Sequence, residues 1–63
     1  MSALEKKILA FLTANAPVCG IAAVAQHCGV DYAEAQRAIH HLMGEGCVLR
    51  KGLSWYWPLS EDN

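Results

Sequence analysis

The stretch GVDYAEAQRAIHHLMGEG, residues 29–46, carries the pattern of one capped amphipathic helix between flanking glycines. Asp31 is a favoured N-cap residue, and Glu34 stands three positions later, where its side chain can reach back to the cap. Apolar residues recur at the i, i+4, i+7 spacing of one helix face: Ala35, Ile39 and Leu42. The stretch therefore predicts a helix over about residues 32–43, with one buried side, that the following glycines end.

The face opposite this apolar stripe is polar and partly basic. A turn of about 100° per residue places on it or at its border Ala33, Gln36, Arg37, His40 and His41. Two interpretations of this face stay open. In one, its side chains contact a binding partner. In the other, Arg37 pairs with Glu34 at i, i+3 spacing and the histidines are only solvated.

Two further helices are predicted before this stretch. Ser2 followed by Glu5 is a capping-box pattern. Apolar residues at helical spacing follow it: Leu4, Ile8, Phe11 and Leu12. The first helix ends near residues 15–17 (NAP), because the residue before a proline disfavours helical backbone. Residues 18–20 then predict a short extended link, and residues 21–28 a second helix that the next glycine ends.

The hydrophobic period changes from 3.6 to 2 after Gly46. We predict a strand over residues 47–50 (CVLR), a tight two-residue turn at Lys51–Gly52, and a partner strand over residues 53–59 (LSWYWPL). Alternate residues of the second strand are large and apolar: Leu53, Trp55, Trp57 and Leu59. This alternation predicts that both tryptophans lie in the core and that Tyr56 is exposed on the other face.

The composition is that of one small folded domain. Of the 63 residues 54% are hydrophobic, enough for a compact core, yet no apolar run approaches the roughly 20 residues that span a bilayer. We expect a domain over residues 1–59, an acidic and disordered tail over residues 60–63, and a cytoplasmic location. Three cysteines without a C-x-x-C spacing indicate a reducing compartment, with Cys19 as the thiol best placed to react.

The sequence lacks the motifs that carry enzyme chemistry. It has no glycine-rich phosphate loop, no nucleophile motif and no carboxylate pair that these elements would bring together. Its histidines and cysteines stand at spacings that do not pair two strong metal ligands. We therefore expect no enzyme activity, no cofactor and no metal.

The order helix, link, helix, tight turn, helix, hairpin resembles the winged helix-turn-helix family over nearly the whole chain. The run VAQHCGVDYAEAQRAIHHLMGEGCV, residues 24–48, is similar to the family's usual pattern. It has an apolar residue before Ala25, another before Gly29, and Gly46 before the wing. The ending WYWPL, residues 55–59, is similar to small bacterial regulators of the PapI type, which control fimbrial operons.

The resemblance implies an α+β fold, mainly α, with three helices followed by a two-stranded β-hairpin wing. It also implies a bacterial DNA-binding transcription regulator that reads the major groove with its third helix and touches the DNA backbone with its wing. Arginine can bridge O6 and N7 of guanine, and glutamine can bridge N6 and N7 of adenine. The candidate DNA-binding residues are Tyr32, Ala33, Gln36, Arg37, His40, His41, Arg50 and Lys51.

The charge keeps a second function open. The net charge is −1, whereas domains that bind nucleic acid usually show a basic excess. The alternative is a winged-helix protein–protein interaction module that docks on a larger regulator or on the transcription machinery. The expected partners are thus double-stranded DNA, a larger DNA-binding regulator, and a second copy of the chain. A second module would supply the contacts that tight specific binding needs.

Overall fold

The computed structural model describes residues 1–59, which form three helices and three short strands. The elements in chain order are α1 (Ala3–Asn15), β1 (Val18–Cys19), α2 (Ile21–Cys28), α3 (Tyr32–Gly44), β2 (Val48–Lys51) and β3 (Trp55–Pro58). The prediction of an α+β chain that is mainly helical is confirmed. The tail predicted over residues 60–63 lies outside the described residues.

The ends of the helices are set by local capping groups. At α1 the Ser2 hydroxyl accepts a hydrogen bond from the Glu5 backbone N–H, and the Glu5 carboxylate accepts one from the Ser2 N–H, each at 3.1 Å. At α3 the Asp31 carboxylate accepts from the Glu34 N–H at 2.9 Å. Within the described residues Glu34 does not return this bond, so only half of the predicted box forms. Gly29 ends α2 with a φ of +72°, a left-handed conformation that suits glycine.

One apolar side of each helix forms the core. The fully buried side chains include Ile8 and Leu12 of α1, Val24 of α2, and Ala35, Ile39 and Leu42 of α3. The three residues of α3 are the predicted stripe, which is therefore confirmed. Burial of each large aliphatic side chain contributes roughly 1.5–3 kcal/mol. The inner side of α3 is thus held firmly, and its outer side faces solvent.

The predicted hairpin forms between β2 and β3, but the prediction of a two-stranded wing is wrong, because the sheet has three antiparallel strands in the order β1–β3–β2. The additional strand is the predicted link: Val18 pairs with Tyr56, and Cys19 pairs with Trp55. Val18 is buried, and its backbone groups need partners that the free edge of β3 supplies. A strand of two residues carries no period-2 pattern, so the sequence alone did not indicate this pairing.

The connection between β2 and β3 is longer than the predicted two-residue turn at Lys51–Gly52. Lys51 pairs with Trp55, which leaves a three-residue loop from Gly52 to Ser54. Gly52 has a φ of +64°, a left-handed conformation that is common in short hairpin loops. Leu53 therefore stands at the tip of the loop, 92% exposed, instead of in a strand.

The predicted faces of β3 are reversed. Tyr56 is 3% exposed and Trp55 is 44% exposed, while Trp57 is half-buried. The register places Tyr56 beside Val18, on the side of the sheet that also carries Val48, and this side belongs to the core. Large apolar residues stand on both sides of β3, so their alternation did not show which side the helices cover.

Candidate nucleic-acid interface

The outer side of α3 carries three candidate residues in one line. Ala33, Arg37 and His40 follow the i, i+4, i+7 spacing, and all three are exposed. Gln36 is half-buried beside them, which agrees with its predicted border position. We call these four residues the outer α3 face. Tyr32 is exposed in the first turn of the helix, next to this face.

Arg37 has no carboxylate partner within residues 1–59. The alternative interpretation of this face was an ion pair between Arg37 and Glu34. That ion pair is absent from residues 1–59. A guanidinium presents a planar fork of N–H donors that matches phosphate oxygens and the guanine edge. The outer α3 face thus offers one cationic fork to a ligand.

His41 is exposed, but two carboxylates hold its ring. Its Nδ1 lies 2.6 Å from Oε2 of Glu5 in α1, and its Nε2 lies 3.4 Å from Oε2 of Glu45. Glu5 itself is buried. His41 therefore joins the C-terminal half of α3 to the first turn of α1, and its ring nitrogens are directed at carboxylates.

The charged form of Glu5 is stabilised by its neighbours. Hydrogen bonds from the Ser2 backbone N–H and from the His41 ring hold the pKa of Glu5 below its ordinary value of 4.5, although burial acts in the opposite direction. The sequence predicted only the capping role of Glu5. Its contact with His41 joins residues 36 positions apart, and such a contact has no local sequence signal.

The pH dependence of stability tests how much the charged Glu5 carboxylate, which the Ser2 N–H and the His41 ring both stabilise, contributes to the fold. Because the pKa of Glu5 is lower in the folded chain than in the unfolded chain, its contribution is complete above about pH 4.5. That contribution is lost as the pH falls through the folded pKa. Glu5→Gln removes the charge but keeps a side chain that can form the capping box. The melting temperature of this variant should fall less than that of the wild type between about pH 6 and about pH 3.

Glu34→Gln is the matched control for this experiment. The Glu34 side chain makes no hydrogen bond or ion pair in the described part of the chain. Thermal unfolding followed by circular dichroism at several pH values gives the comparison. Equal acid sensitivity of the wild type and Glu5→Gln would show that the charge of Glu5 does not stabilise the fold.

The two candidate cations of the hairpin lie on opposite sides of the sheet. Arg50 pairs with Tyr56 and shares its side, which is the side of the helices, whereas Lys51 projects from the other side. The Nζ of Lys51 is 5.1 Å from the centre of the Trp57 ring, a cation–π distance. Both cations are exposed. Arg50 is the one that shares a side of the sheet with α3.

Acidic residues border one flank of the outer α3 face. Glu34, His41 and Glu45 follow one another along the flank on which His41 meets α1. Both glutamates are exposed and would repel a phosphate group. An anionic ligand would therefore meet the outer α3 face more favourably from the opposite flank, where Gln36 lies.

The cysteines differ in their accessibility. Cys19 is exposed, with its Sγ 3.7 Å from the Ser54 Oγ, whereas Cys47 is half-buried. Cys28 is buried, and burial raises the pKa of its thiol. Within residues 1–59, no three His, Cys, Asp or Glu side chains lie close enough together to hold a metal ion.

The chain matches no protein-family model, and no curated protein or solved structure is significantly similar to it. None of the helices in residues 1–59 has both the length and the apolar character needed to cross a bilayer. A functional proposal for this chain therefore rests on the geometry of the outer α3 face and of the sheet.

Proposed function

We propose that this chain is a winged helix-turn-helix domain that binds double-stranded DNA and acts as a small transcription regulator, not as an enzyme. The outer α3 face carries the proposal, because Arg37 and His40 stand exposed in one line on a helix whose opposite side is buried. The tight turn from Gly29 to Asp31 and the hairpin after α3 follow the element order of that fold. The major groove is wide enough to admit one such helix.

Each residue of this surface has its own role in the proposal. Arg37 donates two hydrogen bonds to O6 and N7 of a guanine, and Gln36 bonds to an adenine. Ala33 is small, so the helix backbone can approach the base edges closely. Tyr32 donates its hydroxyl to a phosphate at the start of the helix. His40, one turn beyond Arg37, contacts the next base or its phosphate.

The wing contributes contacts that position the domain without reading sequence. Arg50 lies on the helix side of the sheet and contacts a phosphate beside the groove. Lys51 is held over Trp57 and contributes charge at longer range. His41 does not read bases in this proposal, because its ring nitrogens are directed at Glu5 and Glu45.

A protein-docking module is the second candidate function. The net charge of −1 favours the docking module, because a chain without a basic excess offers few cations to phosphate groups. Two to three phosphate contacts give only weak binding to DNA. A larger DNA-binding regulator beside this domain would then supply the missing affinity, as the resemblance to PapI-type regulators implies. The two functions are compatible, but they differ in their response to salt.

An NMR titration of ¹⁵N-labelled protein with a generic DNA duplex at low salt tests the proposal. Amide shifts should cluster on residues 32–41 and 50–52. Two to three phosphate contacts predict a loss of affinity of about 10- to 50-fold when salt rises from about 50 to about 200 mM. Absence of shifts at high duplex concentration would exclude intrinsic DNA binding and favour the docking module.

A further inference from the structure

The three histidines of the chain have three different surroundings. His27 lies in the last turn of α2, where its ring stacks on Phe11 with the two ring centres 4.1 Å apart. Both ring nitrogens of His41 are directed at carboxylates. The exposed ring of His40 makes no side-chain hydrogen bond and no ion pair within residues 1–59. His40 is therefore the histidine with both ring nitrogens available to a ligand.

The charged neighbours of His40 on α3 are unevenly placed. Arg37 stands three positions earlier on the same outer α3 face, and its guanidinium is positive. Glu34, His41 and Glu45 lie about 100–140° away around the helix axis, on the flank that meets α1. The outer α3 face itself therefore carries one fixed positive charge, and the ring of His40 adds a second when it is protonated.

The elements packed against α3 bring no carboxylate to this face. The single acidic residue of α1, Glu5, is directed at the ring of His41. α2 contains no Asp, Glu, Lys or Arg. The strand β2 carries Arg50 on the helix side of the sheet. Within residues 1–59 a charge on the His40 ring thus has no carboxylate partner.

We propose that the outer α3 face takes up a proton when it binds DNA and that His40 receives this proton. The inference rests on the proposed function, because it concerns the same contact surface. A phosphate oxygen carries negative charge and only accepts hydrogen bonds. A neutral imidazole offers one N–H, whereas the imidazolium offers two and a positive charge. Phosphate therefore favours the protonated ring, and by linkage protonation favours binding of phosphate to the same extent.

The charge of the chain makes this one proton important. Five Lys and Arg stand against six Asp and Glu, and the proposed interface makes only two to three phosphate contacts. Histidine is the side chain that changes its charge between about pH 5 and about pH 8. A protonated His40 would thus add one contact to a small number, and DNA binding should strengthen as the pH falls.

The expected effect follows from one additional phosphate contact. At about 50 mM salt, the affinity of the wild type for a duplex should be about 5- to 20-fold higher at about pH 5.5 than at about pH 7.5. The additional contact also steepens the dependence on salt. Between about 50 and about 200 mM salt, the loss of affinity should be about threefold larger at the lower pH.

Fluorescence anisotropy with a generic labelled duplex, measured at several pH values in this range, tests the proposal. His40→Gln keeps a polar side chain at an exposed helical position but cannot take up the proton. Its affinity should change less than about twofold over the range, and at about pH 7.5 it should be close to that of the wild type. Circular dichroism verifies that the variant folds.

His27→Gln is the matched control, because it removes an exposed histidine outside the outer α3 face. It should keep the pH dependence of the wild type. His41→Gln should also keep it, because the ring of His41 is directed at carboxylates. A pH dependence that persists in His40→Gln, or that disappears in His41→Gln instead, would overturn the proposal.

The same titrations separate the two proposals. If the wild type binds the duplex equally well at every pH, proton uptake is wrong and DNA binding by the outer α3 face stands. If the wild type binds no duplex at any pH from about 5.5 to about 7.5, the proposed function itself fails, and proton uptake fails with it.

Discussion

Tyr56→Ala should lower the free energy of unfolding by about 3–5 kcal/mol, the usual cost of removing a buried aromatic ring. Tyr56 is 3% exposed and belongs to the same buried cluster as Ile8, Leu12 and Val48. Truncation would leave a cavity between α1 and the sheet that these side chains fill only in part. A domain of 63 residues has a total stability of about 3–9 kcal/mol. The variant should therefore retain at most about 6 kcal/mol, and it unfolds at room temperature if the wild-type stability lies at the low end of this range.

Trp55→Ala is the matched variant, one position away in the same strand. Trp55 is 44% exposed, so its truncation should cost about 1 kcal/mol. Urea unfolding followed by circular dichroism measures both variants. A larger loss for Trp55→Ala than for Tyr56→Ala would contradict the register of β3 and restore the faces that the alternation of the sequence predicts.

The helical part of the fold could be predicted because its signals are local. The capping groups at Ser2 and Asp31 and the i, i+4, i+7 stripe of α3 act within a few residues of each other. The left-handed glycine after α2 is also a local requirement, which Gly29 satisfies. In each case the residues that carry the signal lie in the helix that they define or directly beside it.

The sheet could be predicted only in part, because its arrangement depends on distant partners. The strand Val18–Cys19 exists through its pairing with β3, about 37 residues further along the chain. The side of β3 that is buried depends on where α1 packs, and the strand itself is apolar on both sides. Period 2 thus indicated a strand correctly, but it did not orient Tyr56 and Trp55.

The candidate site also combines features that have a local sequence signal with features that depend on distant partners. Helical spacing was sufficient to place Ala33, Arg37 and His40 together on the outer side of α3. It was not sufficient for His41, whose ring is held by Glu5 from another helix. A helical wheel describes one helix at a time, so it cannot show which flank of α3 another helix approaches.

Arg37→Ala should weaken binding to a duplex by about 5- to 150-fold, corresponding to the 1–3 kcal/mol of one bidentate base contact. The effect is large because Arg37 is the one arginine of the outer α3 face and has no carboxylate partner within residues 1–59. Fluorescence anisotropy with a labelled duplex at low salt measures it. Lys6→Ala removes one positive charge from an exposed position of α1, outside the proposed interface, and should change affinity less than about threefold.

Arg37→Lys separates a base contact from a simple charge effect. Lysine keeps the positive charge but lacks the planar fork of donors, so it cannot reproduce the geometry of the guanidinium. If Arg37 reads a guanine, Arg37→Lys should lose most of the affinity that Arg37→Ala loses, and binding should differ less between duplex sequences. If Arg37 contacts only phosphates, Arg37→Lys should bind nearly as well as the wild type.

A loss of affinity for Arg37→Ala no larger than that for Lys6→Ala would exclude both contacts. The outer α3 face would then not be a DNA-binding surface, and docking on another protein would be the better account of it.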